Sequence, residues 1–473
     1  TGSPLVGVII PTGPTTIVGV MSQFYTTYQL LPRDSFDIIP NSSIVITTPV
    51  TETNITTSGF DLNWTTNVAG STYIKYGLTP SLELGIINGA AGVTHTVTVS
   101  GANPATIFYA QAYSVSGTDT AYSPVRAYST VSASAGWIKT YFNKSVDSTL
   151  STGTFATMLY YTMDDTLIQY INRAQHSIDF TMYHFDNQNI SNVSTALNNA
   201  WNRGVKVRVI VDGSYNSAGI AQLDPNIPFI YSPVGGIFNI MHNKFIIIDA
   251  KSANANESIV WTGGTNISDG QINIDPNDVI IFQDLSMAKG YTIEFEEMWG
   301  DTGMVADTNA SKFGPEKSNN TPHEYLVGGV RVEQYFSPSD GVNAQIIEKI
   351  GTASTDLCVA TMIMTRSDIA YTLVNASAAG VNTMVMVDDA TSTSTWSILQ
   401  NGLPAGHLVD YTSGGIMHHK YMIVDPSAPA SDPMVLTGCH NWSSSADQKN
   451  DENTVIVHDA MIANQYYQAF IPR

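Results

Sequence analysis

The rhythm of hydrophobic and polar positions changes near residue 135. Before it, short apolar runs are bounded by turn residues. Residues 1–40 carry the runs Leu5–Ile10 and Thr16–Met21, separated by Pro11, Gly13 and Pro14, which cannot continue a helix, and so predict a β-rich N-terminal segment. From 41 to 132, strand-like segments recur at Ser43–Thr47, Gly59–Trp64, Thr72–Tyr76, His95–Val99, Phe108–Ser114 and Val125–Ser129. Alternation of Phe60, Leu62 and Trp64 puts three large apolar groups on one face, as in an antiparallel β-sandwich.

Beyond Ala135 the pattern predicts helix Asp164–Ala174, strand Ser177–Tyr183, helix Val193–Trp201 and strand Val205–Val211, the grammar of βαβ units. It returns as helix Ala344–Ile350, strand Leu357–Met362, helix Ile369–Ala378 and strand Val381–Val387. The helix-Gly-strand segments Arg203–Asp212 and Ala379–Asp388 lie 176 positions apart. The chain therefore carries an internal duplication, read as two α/β lobes at 133–330 and 331–473.

Each copy holds the same polar spacing, HxKxxxxD: His242, Lys244 and Asp249 in the first, His418, Lys420 and Asp425 in the second. The two histidines are again 176 positions apart. Phe245–Ile248 and Tyr421–Val424 are strand-like, so His and Lys, two apart, share a face, while each Asp points away and supports the strand end. A turn and a second polar cluster follow each motif, Thr262–Asn266 and Thr437–Asn441. Their glycines allow close backbone approach, and Asn266 and Asn441 offer amide donors. Two imidazoles, two ammonium groups and two carboxamides around one spot suit an oxyanion transferred through an enzyme-bound intermediate.

Charge narrows the partners. There are 20 Lys+Arg against 40 Asp+Glu in 473 residues, a net charge of −20, which disfavours a general electrostatic grip on nucleic acid or anionic membrane. A polyanionic substrate must meet a local basic site. Cys358 and Cys439 are too few for a disulfide framework or a four-thiolate zinc site and are read as free. No apolar run reaches the roughly 18 residues needed to cross a bilayer, and Thr1 opens without a basic and then apolar leader, so the chain reads as soluble and already processed. Its polar, lysine-poor composition fits a secreted or cell-surface bacterial protein.

The duplicated motifs resemble those of the phospholipase D superfamily from about Trp137 to Phe470, including the lead-in Ser177–Tyr183, the closing helix Phe295–Trp299, and Asn441–Ala446 followed by Asn450–Asn453. The resemblance implies two α/β/α lobes around a shared active site that needs neither metal nor cofactor. It implies His242 as nucleophile and His418 as acid and base, with Lys244, Lys420, Asn266 and Asn441 holding the nonbridging oxygens. An acidic residue at the position of Glu452 supports a histidine in the family, sometimes that of the opposite lobe. Aligning Val279–Asp284 with Thr454–Asp459 puts Asn277 opposite Glu452 and makes Asp278 the substitute. Cys439 stands where the family usually has Ser. His419 and His440 are expected to flank the site or contact substrate, and His176, His184 and His458 to be structural.

Upstream, 41–132 resembles a fibronectin type III domain, with Trp64 in the second-strand position, the pair Tyr76-Gly77, and Tyr109 after the turn Asn103–Thr106. Thr16–Ile38 resembles the closing strands of an oligonucleotide/oligosaccharide-binding barrel but is too short to complete one. Three functions follow: a phospholipase D acting on a lipid headgroup diester, favoured by charge; a nuclease, since Asn441–Asn453 resembles the small bacterial endonuclease branch; and a catalytically silent surface or assembly protein. The β-domain is expected to contact a membrane or cell surface.

Overall fold

The structure, a computed structural model, describes residues 15–24, 27–31, 37–40, 43–186, 193–388 and 393–470. The run Leu5–Ile10 lies outside them. Two compact units result: residues 1–103 with 108–128, and 104–107 with 129–473.

In the first unit, Thr15–Ile17 pairs with Ile38–Pro40 and Val20–Phe24 with Thr27–Leu31, both antiparallel. The rest is an antiparallel sheet around the long strand Gly59–Gly77, flanked by Gly85–Ser100, Thr51–Thr56 and Ile107–Ser116. The segments expected as separate strands at 59–64 and 72–76 are one strand. Register shifts between Thr65 and Thr72 absorb the polar stretch that reads as a turn in sequence. Phe60, Leu62 and Trp64 do share the buried face, with Ile74, Val97, Val99 and Phe108. Trp64 stacks on His95 at 5.1 Å, and its Nε1 donates to Ser114 Oγ at 3.1 Å, which satisfies the buried indole.

The second unit holds two lobes built on eight-stranded sheets whose order agrees except at one edge. There the outermost strand follows its neighbour in the chain and pairs parallel in the first lobe, but precedes it and pairs antiparallel in the second. Across the first sheet the strands run Thr157–Met158, Trp137–Phe142, Asp278–Gln283, Ile259–Gly263, Lys244–Ile248, Ser177–Met182, Lys206–Val211 and Phe229–Tyr231. In the second they run Glu324–Val327, Val330–Ser337, Glu452–His458, Met434–Gly438, Lys420–Val424, Asp356–Thr361, Asn382–Asp388 and Leu408–Tyr411. Helices Met163–Arg173 and Val193–Asn202 pack with the first sheet, and Val342–Ile350 and Ser367–Ala378 with the second.

Side-chain parity explains why the motif strands are apolar throughout. Ile246 and Ile248 fill the core of the first lobe, while Phe245 and Ile247 enter a core shared with Tyr421, Ile423, Val435 and Val455 of the second. Helices Leu285–Trp299 and Ala460–Phe470 complete that shared core through Tyr291, Phe295, Trp299, Tyr466 and Phe470. The lobes are thus joined by one buried apolar layer, which fixes the two motif strands against each other. No described helix is long and apolar enough to cross a membrane.

Candidate active site

Each motif strand ends on its aspartate. Asp249 and Asp425 both adopt left-handed backbone, φ 54° and 51°, a conformation Asp tolerates better than most residues. The Asp249 carboxylate accepts the N–H groups of Gln175, His176 and Ser177 at 2.7–2.9 Å, and Asp425 accepts those of Ser354, Thr355 and Asp356 at 2.7–3.0 Å. These aspartates tie the end of the motif strand to the start of its neighbour.

At the other end of the strands the lobes exchange backbone hydrogen bonds. His242 N–H donates to Asp451 O at 2.9 Å, and His418 N–H to Pro276 O at 2.8 Å. Gly263 and Gly438, at φ +144° and +148°, let strands close up here: a Cβ would stand 2.5 Å from Asp278 O and 2.2 Å from Asn453 O.

The four motif groups are buried together. Lys244 Nζ donates to His242 O and Lys420 Nζ to His418 O, each at 2.8 Å, so the ammonium groups hold equivalent places in the two lobes. Burial lowers Lys244 to about 8 and Lys420, which also feels Lys244, to about 7. Burial drives His242 down to about 4, against the pull of Glu452. His418 falls well below the usual imidazole value, through burial and then the charges of Lys420, Lys244 and His242. Both imidazoles rest neutral, surrounded by cations.

The partners of the two rings differ. His242 Nδ1 lies 2.7 Å from Glu452 Oε2, contributed by the opposite lobe. Burial opposes ionisation of Glu452, but His242 and the Asn450 amide, 2.8 Å from Oε1, hold it down to about 2. His418 Nδ1 instead faces Asn277 Nδ2 at 3.3 Å. The expectation that Asp278 takes this place is corrected: Asp278 Oδ1 binds His419 Nδ1 at 2.6 Å, and its Oδ2 accepts from Thr437 Oγ1 and Tyr466 OH at 2.9 Å. Successive strand residues face opposite sides, so Asn277 lies toward the site and Asp278 beneath it. By the same parity His419 is buried behind the site and is not a substrate contact. His440 is likewise tied to Ser337 Oγ and Asn343 Oδ1, at 3.1 and 3.2 Å.

Asn266 Oδ1 accepts the His184 N–H at 3.1 Å, and Asn441 Oδ1 is buried with no hydrogen-bond partner among the described residues. Tyr183 escaped the sequence reading. Its ring packs 4.9 Å from His242 and beneath Lys244 Nζ at 5.0 Å, a cation–π contact. Tyr215 joins Tyr183 at 5.6 Å and His184 at 4.1 Å, so His184, expected to be structural, borders the site. The strand pattern signals Tyr183, one position past the strand end, only once the site is known. His176, by contrast, lies 3.4 Å from Glu257, and His458 pairs with Glu333 and Asp432 at 2.8 and 2.9 Å.

Cys439 is free and buried, as is Cys358. Burial pushes the Cys439 thiol up to about 12, and its Sγ lies 3.1 Å from Asn453 Oδ1. His242, Cys439 and Glu452 offer nitrogen, sulfur and oxygen donors within 4.8 Å of one another, the donor set a metal ion would use. Lys244 and Lys420 stand beside them and oppose a cation.

A family profile described as "Cardiolipin synthase, PLD-like domain" matches residues 167–299 and 346–472, one stretch in each lobe and together more than half of the chain. A phospholipase D of Rickettsia prowazekii is 30% identical over 146 residues, 30% of this chain and 67% of that protein. A mitochondrial cardiolipin hydrolase of Xenopus tropicalis is 27% identical over 157 residues, 32% of this chain and 67% of its own. Among solved structures, Nuc, a phospholipase D family member from Salmonella typhimurium, is 26% identical with TM-score 0.27, covering 30% of this chain and 92% of Nuc. The chain therefore belongs to the PLD-like domain family and is a hydrolase of the phospholipase D type.

Proposed function

We propose that the protein hydrolyses a phosphodiester, with a phospholipid headgroup as the favoured substrate, through a covalent phosphohistidine on His242. The observation that carries this reading is the unequal pairing of the two rings. A carboxylate accepts, so Glu452 takes the Nδ1–H of His242 and leaves a lone pair on Nε2, as a nucleophile requires. The Asn277 amide donates to Nδ1 of His418, which places the His418 proton on Nε2, where a leaving oxygen can receive it.

His242 Nε2 attacks phosphorus while the bond to the leaving alcohol breaks, and His418 protonates that oxygen. The anionic diester favours the imidazolium at His418 as it enters: the ring takes a second proton at Nδ1, and the Asn277 amide turns its oxygen to accept it. Loss of the Nε2 proton to the leaving oxygen then leaves a neutral ring. Lys244, Lys420, Asn266 and Asn441 hold the nonbridging oxygens through the transition state. His418 then takes a proton from water, the hydroxide displaces His242, and the phosphomonoester leaves.

Charge and the surroundings of the site support a lipid. With a net charge of −20, little basic surface is available for a long polyanion. Exposed Tyr215, Ile274 and Ile416 lie near the site: Tyr215 beside Tyr183, Ile416 two residues before His418, and Ile274 against Gly415, three residues before His418. Such apolar side chains suit the boundary of a bilayer. Export, and a fibronectin-like spacer role for the first unit, belong to the same proposal. The test offers phosphatidylcholine, cardiolipin, single-stranded DNA and bis(p-nitrophenyl) phosphate in parallel. Lipid turnover supports the reading, cutting of DNA without lipid turnover replaces it with a nuclease, and silence on all four points to a surface or assembly role.

A further inference from the structure

The connector between the lobes sends one side chain beneath the site. Lys317 follows the single turn Gly314–Glu316, and its side chain is wholly buried. Its ammonium pairs with Glu294 of helix Leu285–Trp299 and lies 3.2 Å from Asp451 Oδ1. That same oxygen accepts the Gly314 N–H at 2.7 Å, which fastens the connector a second time. Glu294 Oε1 in turn accepts from Asn243 Nδ2 at 3.3 Å.

These partners are the chain neighbours of the pair that matters. Asn243 follows His242, and Asp451 precedes Glu452. The Asp451 backbone is also where the lobes cross: its carbonyl accepts His242 N–H at 2.9 Å, and its N–H donates to Ile240 O at 3.1 Å. One buried ammonium thus neutralises two buried carboxylates that sit on either side of the His242–Glu452 hydrogen bond. Unpaired, those carboxylates would repel each other or draw in water, and both outcomes move the strands that carry them.

We propose that Lys317 is a positioning residue, holding the crossed segments at Ile240–His242 and Asp451 in the register that keeps His242 Nδ1 on Glu452. This rests on the reading of His242 as nucleophile. A contribution to stability alone makes a different forecast, because stability can be restored without restoring the clip. Lys317→Met strands two acids and lowers Tm. The double variant Lys317→Met/Glu294→Gln removes one acid as well and recovers much of that loss.

The experiment measures kcat, KM and Tm on bis(p-nitrophenyl) phosphate for the full chain, Lys317→Met, the double variant and Asp451→Asn, which keeps its backbone crossing and its acceptor for Gly314 N–H. Positioning predicts kcat at least ten-fold lower in all three, with KM within two-fold, because the groups that bind the diester are untouched. A double variant or an Asp451→Asn protein with wild-type kcat overturns it, as does kcat that recovers in step with Tm. Should Lys317→Met fail to fold, Asp451→Asn decides by the same kcat criterion. A wild-type chain inactive on every diester counts against the diesterase reading and removes this inference with it.

Discussion

Glu452 Oε2 meets Nδ1 of His242 at 2.7 Å across the boundary between the two lobes. The strand that supplies the carboxylate lies in the second sheet and the ring in the first, so neither lobe holds a complete site alone. At the matching place beside His418 the chain has Asn277, an amide at 3.3 Å. A duplicated fold with near-identical motifs thereby acquires two chemically different histidines through a single pair of partners. Charge around the rings is shared, but the hydrogen-bond polarity at Nδ1 is opposite, and that polarity decides which Nε2 carries a lone pair.

Exchanging the partners tests this directly. Glu452→Gln should lower kcat by roughly 10²–10⁴-fold, the scale seen when an orienting carboxylate beside a catalytic histidine becomes an amide. It should also shift the acid limb of kcat/KM to lower pH, since Glu452 raises the proton affinity of His242. Asn277→Asp adds an anion beside His418, favours the imidazolium, and should move the alkaline limb to higher pH. Stopped assays across pH on a soluble diester measure both, and unchanged profiles would count against the partner assignment.

The pH window of the wild-type protein follows from the same groups. His242 must be neutral to attack, and its value of about 4 keeps it so above that pH, so kcat/KM rises as pH increases through about 4. On the alkaline side His418 must carry the proton it donates and Lys420 the charge that holds the phosphoryl oxygens. The imidazole, lowered well below its usual value, and Lys420 at about 7 both make kcat/KM fall as pH increases, with Lys244 following at about 8. The profile should be a bell centred on the acid side of neutrality. An optimum above pH 9 would be incompatible with buried ammonium groups doing this work.

Much of this site was legible in sequence because it occurs twice. A lone HxK on a strand means little, but the same spacing repeated at the offset of the helix-Gly-strand segments marks equivalent places in a duplication, and the apolar runs after each lysine locate them on strands buried on both faces. The mismatch at Asp278 has a definite origin: chemical type favours a carboxylate beside His418, while strand parity turns Asn277 toward that ring and sends Asp278 to His419, Thr437 and Tyr466. Lys317 and Tyr183 were illegible for another reason. Their roles depend on where a connector and a strand end arrive in space, and neither has local periodicity that reports this. In the first unit, the polar stretch after Thr65 reads as a turn, yet bulges carry the strand through it.

On the proposed mechanism chelation should leave turnover within about two-fold of the untreated rate, because there two lysines and two asparagines supply the charge stabilisation that other phosphodiesterases obtain from divalent ions. Dialysis against EDTA followed by assay on bis(p-nitrophenyl) phosphate is sufficient. Loss of activity restored by a divalent cation would overturn the assignment of Lys244 and Lys420 and turn attention to the donors of His242, Cys439 and Glu452.

The last prediction concerns the covalent step. His242→Ala and His418→Ala should each lower turnover of an ordinary diester by at least about 10³-fold, since one removes the nucleophile and the other the proton donor. They should differ on a substrate whose leaving group needs no protonation. With bis(p-nitrophenyl) phosphate, the His418→Ala protein keeps the Nε2 lone pair of His242 and should release a burst of nitrophenolate up to one equivalent, then stall. Without His418, water has no base to activate it. Acid-labile phosphorus should then be found on His242 by mass spectrometry of rapidly quenched protein, and the His242→Ala protein should show neither burst nor label. Because Glu452 orients the attacking ring, Glu452→Gln in the His418→Ala background should slow the burst without reducing its amplitude. Label on His418 in the His242→Ala protein would reverse the roles, and would mean that the amide of Asn277 turns its oxygen toward the ring before attack.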